Sequence, residues 1–126
     1  MIYAESDFLL ALIKSSDWLK SNAEKIYNEH KNKNNIITST ATIVEVALVC
    51  ERLNLNVEDA IGSIFSMAEV EGITKEEAME AAYLIKNENF SVFDAFHAAL
   101  SRGRPIVSSE HIYDKIGKPR IKLEEK

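Results

Sequence analysis

The 126-residue sequence has a single cysteine, Cys50, so no disulfide can close within the chain. Its apolar surroundings mark it as a core residue suited to a reducing compartment rather than as a nucleophile. No apolar run comes near the roughly 20 residues that a membrane span requires. Met1-Ile2-Tyr3-Ala4-Glu5 lacks a basic region followed by an apolar stretch, so it reads as a strand and not as a secretory signal. The expectation is a cytoplasmic protein with no membrane attachment. No His or Cys cluster has zinc spacing. No repeat, low-complexity tract or linker divides the chain, which predicts one domain over residues 1–126. With 46% apolar and 28% charged residues, the composition is that of a globular chain.

Basic residues are too few to balance the acidic ones, and the net charge of −5 weighs against a nucleic-acid partner. The placement of the acids changes that reading. Glu5-Ser6-Asp7, Glu45, Asp94, and Glu110 with Asp114 each fall where a strand would end or in a helix that follows one. Glu45 is the only charge in Ile43-Val44-Glu45-Val46-Ala47-Leu48-Val49-Cys50, and Asp94 the only Asp, Glu, Lys or Arg between Glu88 and Arg102. A carboxylate among core residues costs several kcal/mol unless it is compensated. Acids distant in sequence are compensated together if they meet around a divalent cation. Without these six, fourteen acids face fifteen Lys and Arg, so the acidity is concentrated and RNA is not excluded by charge.

Hydrophobic periodicity predicts strands at 1–4, 36–38 and 106–108, and a last one at 121–123. Helical spacing is expected from Phe8 to Ile13, again after Ser16-Asp17, from Ser39 or Thr40 to Leu53, and after Asn56. Thr74-Lys75-Glu76-Glu77 fits a capping box opening a helix to about Lys86, Ser91 precedes a helix over 92–101, and Glu110 to Ile116 is a short helix. Lys31 to Asn35 reads as an exposed loop, and Trp18, Tyr27, Phe65 and Phe96 as core aromatics. Alternating strands and helices predict an α/β fold, a short central parallel sheet flanked by helices in three layers. Ligands of such sheets bind beyond the carboxyl ends of the strands, where Glu5, Asp7 and Glu110 fall.

Hard carboxylate oxygens select Mg²⁺ or Mn²⁺. Phosphodiester hydrolysis by metal-activated water is the reaction that fits. The motifs carrying these acids, in this order and spread from Ile2 to Ile116, resemble the PIN domain family, in particular its small prokaryotic VapC-like toxins. Glu5-Ser6-Asp7 stands at the family's opening motif, and Glu45 at the Glu within the helix after strand two. Asp94-Ala95 stands at the Asp-Ala that begins a later helix, and Ser108-Ser109-Glu110 with Asp114 at the last acidic motif. The resemblance implies a metal-dependent endoribonuclease, an antitoxin partner and a homodimer. Glu5, Asp7, Glu45, Asp94 and Glu110 would be catalytic metal ligands, Asp114 a peripheral member of the catalytic acids, and Ser6, Ser39 and Ser109 supporting or substrate-binding residues. Glu5 and Glu110 replace the family's usual Asp and are one methylene longer, which motivates an alternative: a catalytically weakened module that binds RNA or a protein.

Several residues carry plainer readings. Asp7 and Asp94 suit first-turn positions of helices, and Glu45 could pair with a distant Lys or Arg. His97, one turn after Asp94, is read as a packed or hydrogen-bonded structural residue, and His30 and His111 as surface residues. Lys14, Lys20, Lys115, Lys118, Arg120 and Lys122 would line a nucleic-acid path or be simply solvated. A phosphate-responsive receiver-type domain also gathers acids at strand ends, but needs a Lys where Glu110 follows Ser109.

Overall fold

Successive side chains of Ile2-Tyr3-Ala4 point to opposite sides of the sheet, as the twofold period of a strand dictates, and both sides are buried. Ile2 and Ala4 join one core, Tyr3 the other. In this computed structural model, which describes residues 1–31 and 34–124, that first strand is the centre of a five-stranded, wholly parallel sheet. The strands are β1 (Ile2–Ala4), β2 (Ile36–Ser39), β3 (Glu69–Glu71), β4 (Ile106–Ser108) and β5 (Arg120–Lys122), in spatial order β3-β2-β1-β4-β5.

Helices α1 (Ser6–Ile13), α2 (Lys20–His30), α3 (Thr40–Leu53) and α4 (Val57–Met67) bring Phe8, Leu9, Ala23, Ile26, Val46 and Ile64 to the core that holds Ile2 and Ala4. On the other face, α5 (Lys75–Asn87), α6 (Val92–Leu100) and α7 (Ile112–Lys115) contribute Leu84, Ala95, Leu100 and Tyr113 to the core that holds Tyr3. The arrangement is the expected three-layer α/β/α fold. No helix among the described residues is long and apolar enough to cross a membrane.

Local chemistry sets several boundaries. Asn56 accepts a hydrogen bond from Asp59 N at the start of α4, and Thr74 with Glu77 forms the reciprocal capping box of α5. Asn54, at φ 55°, adopts the left-handed conformation that closes α3. Ser39 and Ser91 precede their helices without capping them through the side chain.

The structure corrects three expectations. It adds β3, whose two glutamates and single apolar residue hide an edge strand from hydrophobic patterning. It moves the last strand one residue earlier, to Arg120–Lys122. Trp18 and Phe65 are not core: they are 78% and 60% exposed. Helical spacing put them on an apolar stripe, but Trp18 lies in the turn before α2 begins at Lys20, and Phe65 points outward from α4. Of the loop expected at Lys31 to Asn35, Asn32 and Lys33 lie outside the described residues.

Candidate metal centre

The carboxyl ends of parallel strands share one edge, and a crevice forms where the strand order reverses. Here the chain runs outward from β1 through β2 to β3, then returns to lay β4 and β5 on the other side. The reversal falls between β1 and β4. Glu5 and Asp7 follow β1 directly, and Ser109 and Glu110 follow β4 directly, so both segments flank that crevice. Glu45 reaches it from the second turn of α3, and Asp94 from the first turn of α6.

Three of these acids are tethered in the same way, by one oxygen each. Glu5 Oε2 accepts from Ser108 Oγ at 2.6 Å and from Tyr113 OH at 3.0 Å. Asp7 Oδ2 accepts from Ser109 N at 2.8 Å and Ser109 Oγ at 2.6 Å. Glu45 Oε1 accepts from Ser6 Oγ and, at 2.7 Å, from His97 Nε2. The second oxygen of each carries no hydrogen bond among the described residues, and Asp7 Oδ1 is buried without any partner. A buried charged oxygen left unpaired costs at least about 1–3 kcal/mol. Tyr113 OH also lies 3.5 Å from Asp94 Oδ1, linking that carboxylate to Glu5.

Electrostatics agree with the geometry. Burial, then the charge of Asp7, pushes the Glu5 carboxyl well above the usual carboxylate range. Burial also raises Asp7, against the donors of Ser109. Glu110, at the exposed edge after β4, is raised by its partial burial and then by the charges of Asp94, Asp7 and Glu45. Glu45 differs: burial acts to raise it, but the hydrogen bonds from His97 and the Ser6 hydroxyl outweigh that, holding it below the usual range. No ion pair among the described residues joins Glu5, Asp7, Asp94 or Glu110 to a Lys or Arg. The donor set is oxygen-rich, with one oxygen fixed and one spare on each tethered acid, and it fits a hard divalent cation.

Not every candidate falls here. Asp114 is half-exposed and bonded to Arg120 at 3.1 Å, which holds its carboxyl below the usual range. Ser39 donates to or accepts from Tyr3 OH at 2.7 Å rather than contacting an acid. Lys14, Lys118 and Arg120 are engaged with Asp17, Glu80 and Glu124, and Lys20 donates to three carbonyls at the end of α1. His97 is wholly buried and hydrogen-bonded, as expected of a structural residue, but its partner is Glu45 itself. Sequence reading gave no role to Tyr3, or to Ser108 and Tyr113 beyond their place in a motif. The α/β register that puts Ser108 last in β4 and Tyr113 on the buried side of α7 supplies those roles.

Comparison with known proteins agrees with this architecture. The chain matches the PIN domain family over residues 2–116. Among solved structures it is similar to the Mycobacterium tuberculosis toxin VapC20, described as cleaving the sarcin–ricin loop. That likeness has a TM-score of 0.82 at 18% identity, over 97% of this chain and 99% of that one. It is also similar to a chain of a toxin–antitoxin complex from Klebsiella pneumoniae, with a TM-score of 0.76 at 14% identity over the whole of both chains. A third likeness is to VapBC2 of Rickettsia felis bound to promoter DNA, with a TM-score of 0.75 at 11% identity over 97% of this chain and 98% of that one. Among curated proteins, none matches the sequence.

Proposed function

This chain belongs to the PIN domain family, and from that premise we propose that it is a metal-dependent endoribonuclease of the VapC-like type. The observation that carries the reading is the half-tethered state of the acids: Glu5, Asp7 and Glu45 are each held by one oxygen, and Asp7 Oδ1 is buried with no hydrogen-bond partner among the described residues. A cation is the missing partner. Glu5, Asp7, Glu45, Asp94 and Glu110 would hold Mg²⁺ or Mn²⁺ there. Bound at that position, the ion supplies positive charge that lowers the pKa of water and steadies charge developing on phosphorus.

The remaining work belongs to the chain. Ser109 fixes Asp7 through both its amide and its hydroxyl, which leaves that carboxylate a single orientation. Ser108 and Tyr113 take up the extra methylene of Glu5 by anchoring Oε2 at the floor of the crevice. Exposed Glu110 stands at the rim, where an RNA phosphate would enter. Asp114 is bound to Arg120, and we assign it a supporting role at the site's margin. The structural neighbours include toxin–antitoxin complexes, and an antitoxin is the proposed protein partner. A groove beside Glu45, lined by Leu48, Val49, Arg52 and Phe93, could receive a segment of it. A homodimer in the cytoplasm completes the reading.

The test is incubation of the purified protein with mixed RNA, with and without Mn²⁺ or Mg²⁺, beside Asp94→Asn. Metal-dependent cleavage that disappears in the variant is the expected result. Intact RNA with both metals across a broad range of substrates would overturn it and leave a binding module in its place.

A further inference from the structure

Among the described residues, Glu45 is the one acid of the cluster held by a side-chain nitrogen, and that nitrogen's ring is itself held from behind. His97 Nε2 lies 2.7 Å from Glu45 Oε1, and His97 Nδ1 lies 2.8 Å from Tyr3 OH, which contacts Ser39 Oγ at 2.7 Å. Tyr3, Ser39 and His97 are all fully buried. One turn of α6 separates His97 from Asp94, so the same helix presents one acid to the cluster and braces another. We propose that His97 is a positioning residue for the metal centre, acting through Glu45, with Tyr3 fixing its ring. The proposal rests on the metal-centre reading above.

The hydrogen-bond logic runs one way. Glu45 Oε1 also accepts from Ser6 Oγ, and at 2.7 Å from Nε2 it is the acceptor of that bond, which places the proton on the nitrogen. In the neutral ring Nδ1 is then an acceptor, and Tyr3 OH donates to it while receiving from Ser39. Both ring nitrogens are thus engaged, although an oxygen of Glu5, an oxygen of Glu45 and a nitrogen of His97 lie within 4.8 Å of one another. His97 therefore orients a ligand instead of being one. With Ser6 also on Oε1, that oxygen is held from two sides, and Oε2 carries no hydrogen bond among the described residues.

The experiment is titration of the protein with Mn²⁺ alone, followed by the loss of the free-ion paramagnetic resonance signal, with circular dichroism to confirm folding. Partners that brace a ligand are worth roughly 10–100-fold in metal affinity. His97→Phe should lose affinity within that range, His97→Gln should retain most of it because its amide can still donate, and Tyr3→Phe should lose about threefold. In a Glu45→Gln background His97→Phe should cause no further loss, which a merely structural role would not predict. If His97→Phe does not fold, the Tyr3→Phe loss decides, since it too must vanish in the Glu45→Gln background. Wild-type affinity in His97→Phe or Tyr3→Phe, or losses that simply multiply with that of Glu45→Gln, would overturn the proposal alone. A wild type that does not bind Mn²⁺ would overturn the metal-centre reading and this proposal with it.

Discussion

Two groups of partly buried acids in this molecule have opposite surroundings. On the flank of the sheet, Glu71 of β3 and Glu77 of α5 face two arginines. Arg104 bonds Glu71 at 2.6 Å, and Arg102 bonds Glu77 through both a guanidinium Nε and, at 2.9 Å, an NH2 group. The Arg102 hydrogen bond outweighs burial and lowers the Glu77 carboxyl to about 2. In the crevice, among the described residues, Glu5 and Asp7 meet hydroxyls, backbone amides and other carboxylates, and burial raises both. The first group is complete within the chain. The second has donors for half of its oxygens and no cation for the charge. Burial of acids alone does not distinguish a clamp from a ligand set; the identity of what stands opposite them does.

The largest effect expected from that contrast is on Asp7. Asp7→Asn removes the buried oxygen that has no partner while preserving an acceptor for the Ser109 amide and hydroxyl. Since outer-shell partners alone are worth up to about 100-fold, loss of a ligand should weaken Mn²⁺ binding by at least about that factor. Thermal stability in a chelator should stay level or rise, because an uncompensated charge has gone. Marked destabilisation with unchanged metal affinity would make Asp7 a structural acid like Glu77. The converse substitution acts on the clamp: Arg102→Ala strands Glu77 and should cost about 2 kcal/mol of stability, the scale of a hydrogen bond to a charged group. Arg102 is 37% exposed, so water takes up part of the lost bond, and the figure is not larger. Mn²⁺ affinity should not move. Denaturant unfolding of the folded variant checks the first, and the same metal titration the second.

The fold was legible where the pattern was strong. Ile2-Tyr3-Ala4, Ile36-Ile37-Thr38 and Ile106-Val107-Ser108 are apolar runs of strand length, and Thr74 to Glu77 is a capping signal with one meaning. β3 was not legible, because an edge strand exposed on one side tolerates two glutamates, and Glu71 is there for Arg104. Placement of the acids at strand ends and in apolar helices could be read from sequence, but the donors that hold them could not. Ser108 and Tyr113 lie more than a hundred residues from Glu5, and His97 lies 52 residues from Glu45. Only the parallel register that puts β1 beside β4 and α6 behind β1 brings them together.

The smallest effect, and the one that tests the contrast most directly, is a pH dependence. Glu5 has a folded-state pKa above its unfolded value, so it contributes stability below pH 4.5 that is lost as the pH rises towards the raised value. Glu77 has the reverse sign: its stabilisation is present above pH 4.5 and is lost as the pH falls towards about 2. Glu5→Gln keeps the acceptor for Ser108 and Tyr113 but cannot ionise. In a chelator, the melting temperatures of Glu5→Gln and wild type should coincide near pH 4 and diverge by several degrees in favour of the variant at pH 8. Saturating Mn²⁺ should close or reverse the gap at pH 8, because the ion stabilises only a chain whose acids can bind it. A gap that is constant with pH would mean that Glu5 is already compensated within the fold, and the crevice would then be a second clamp.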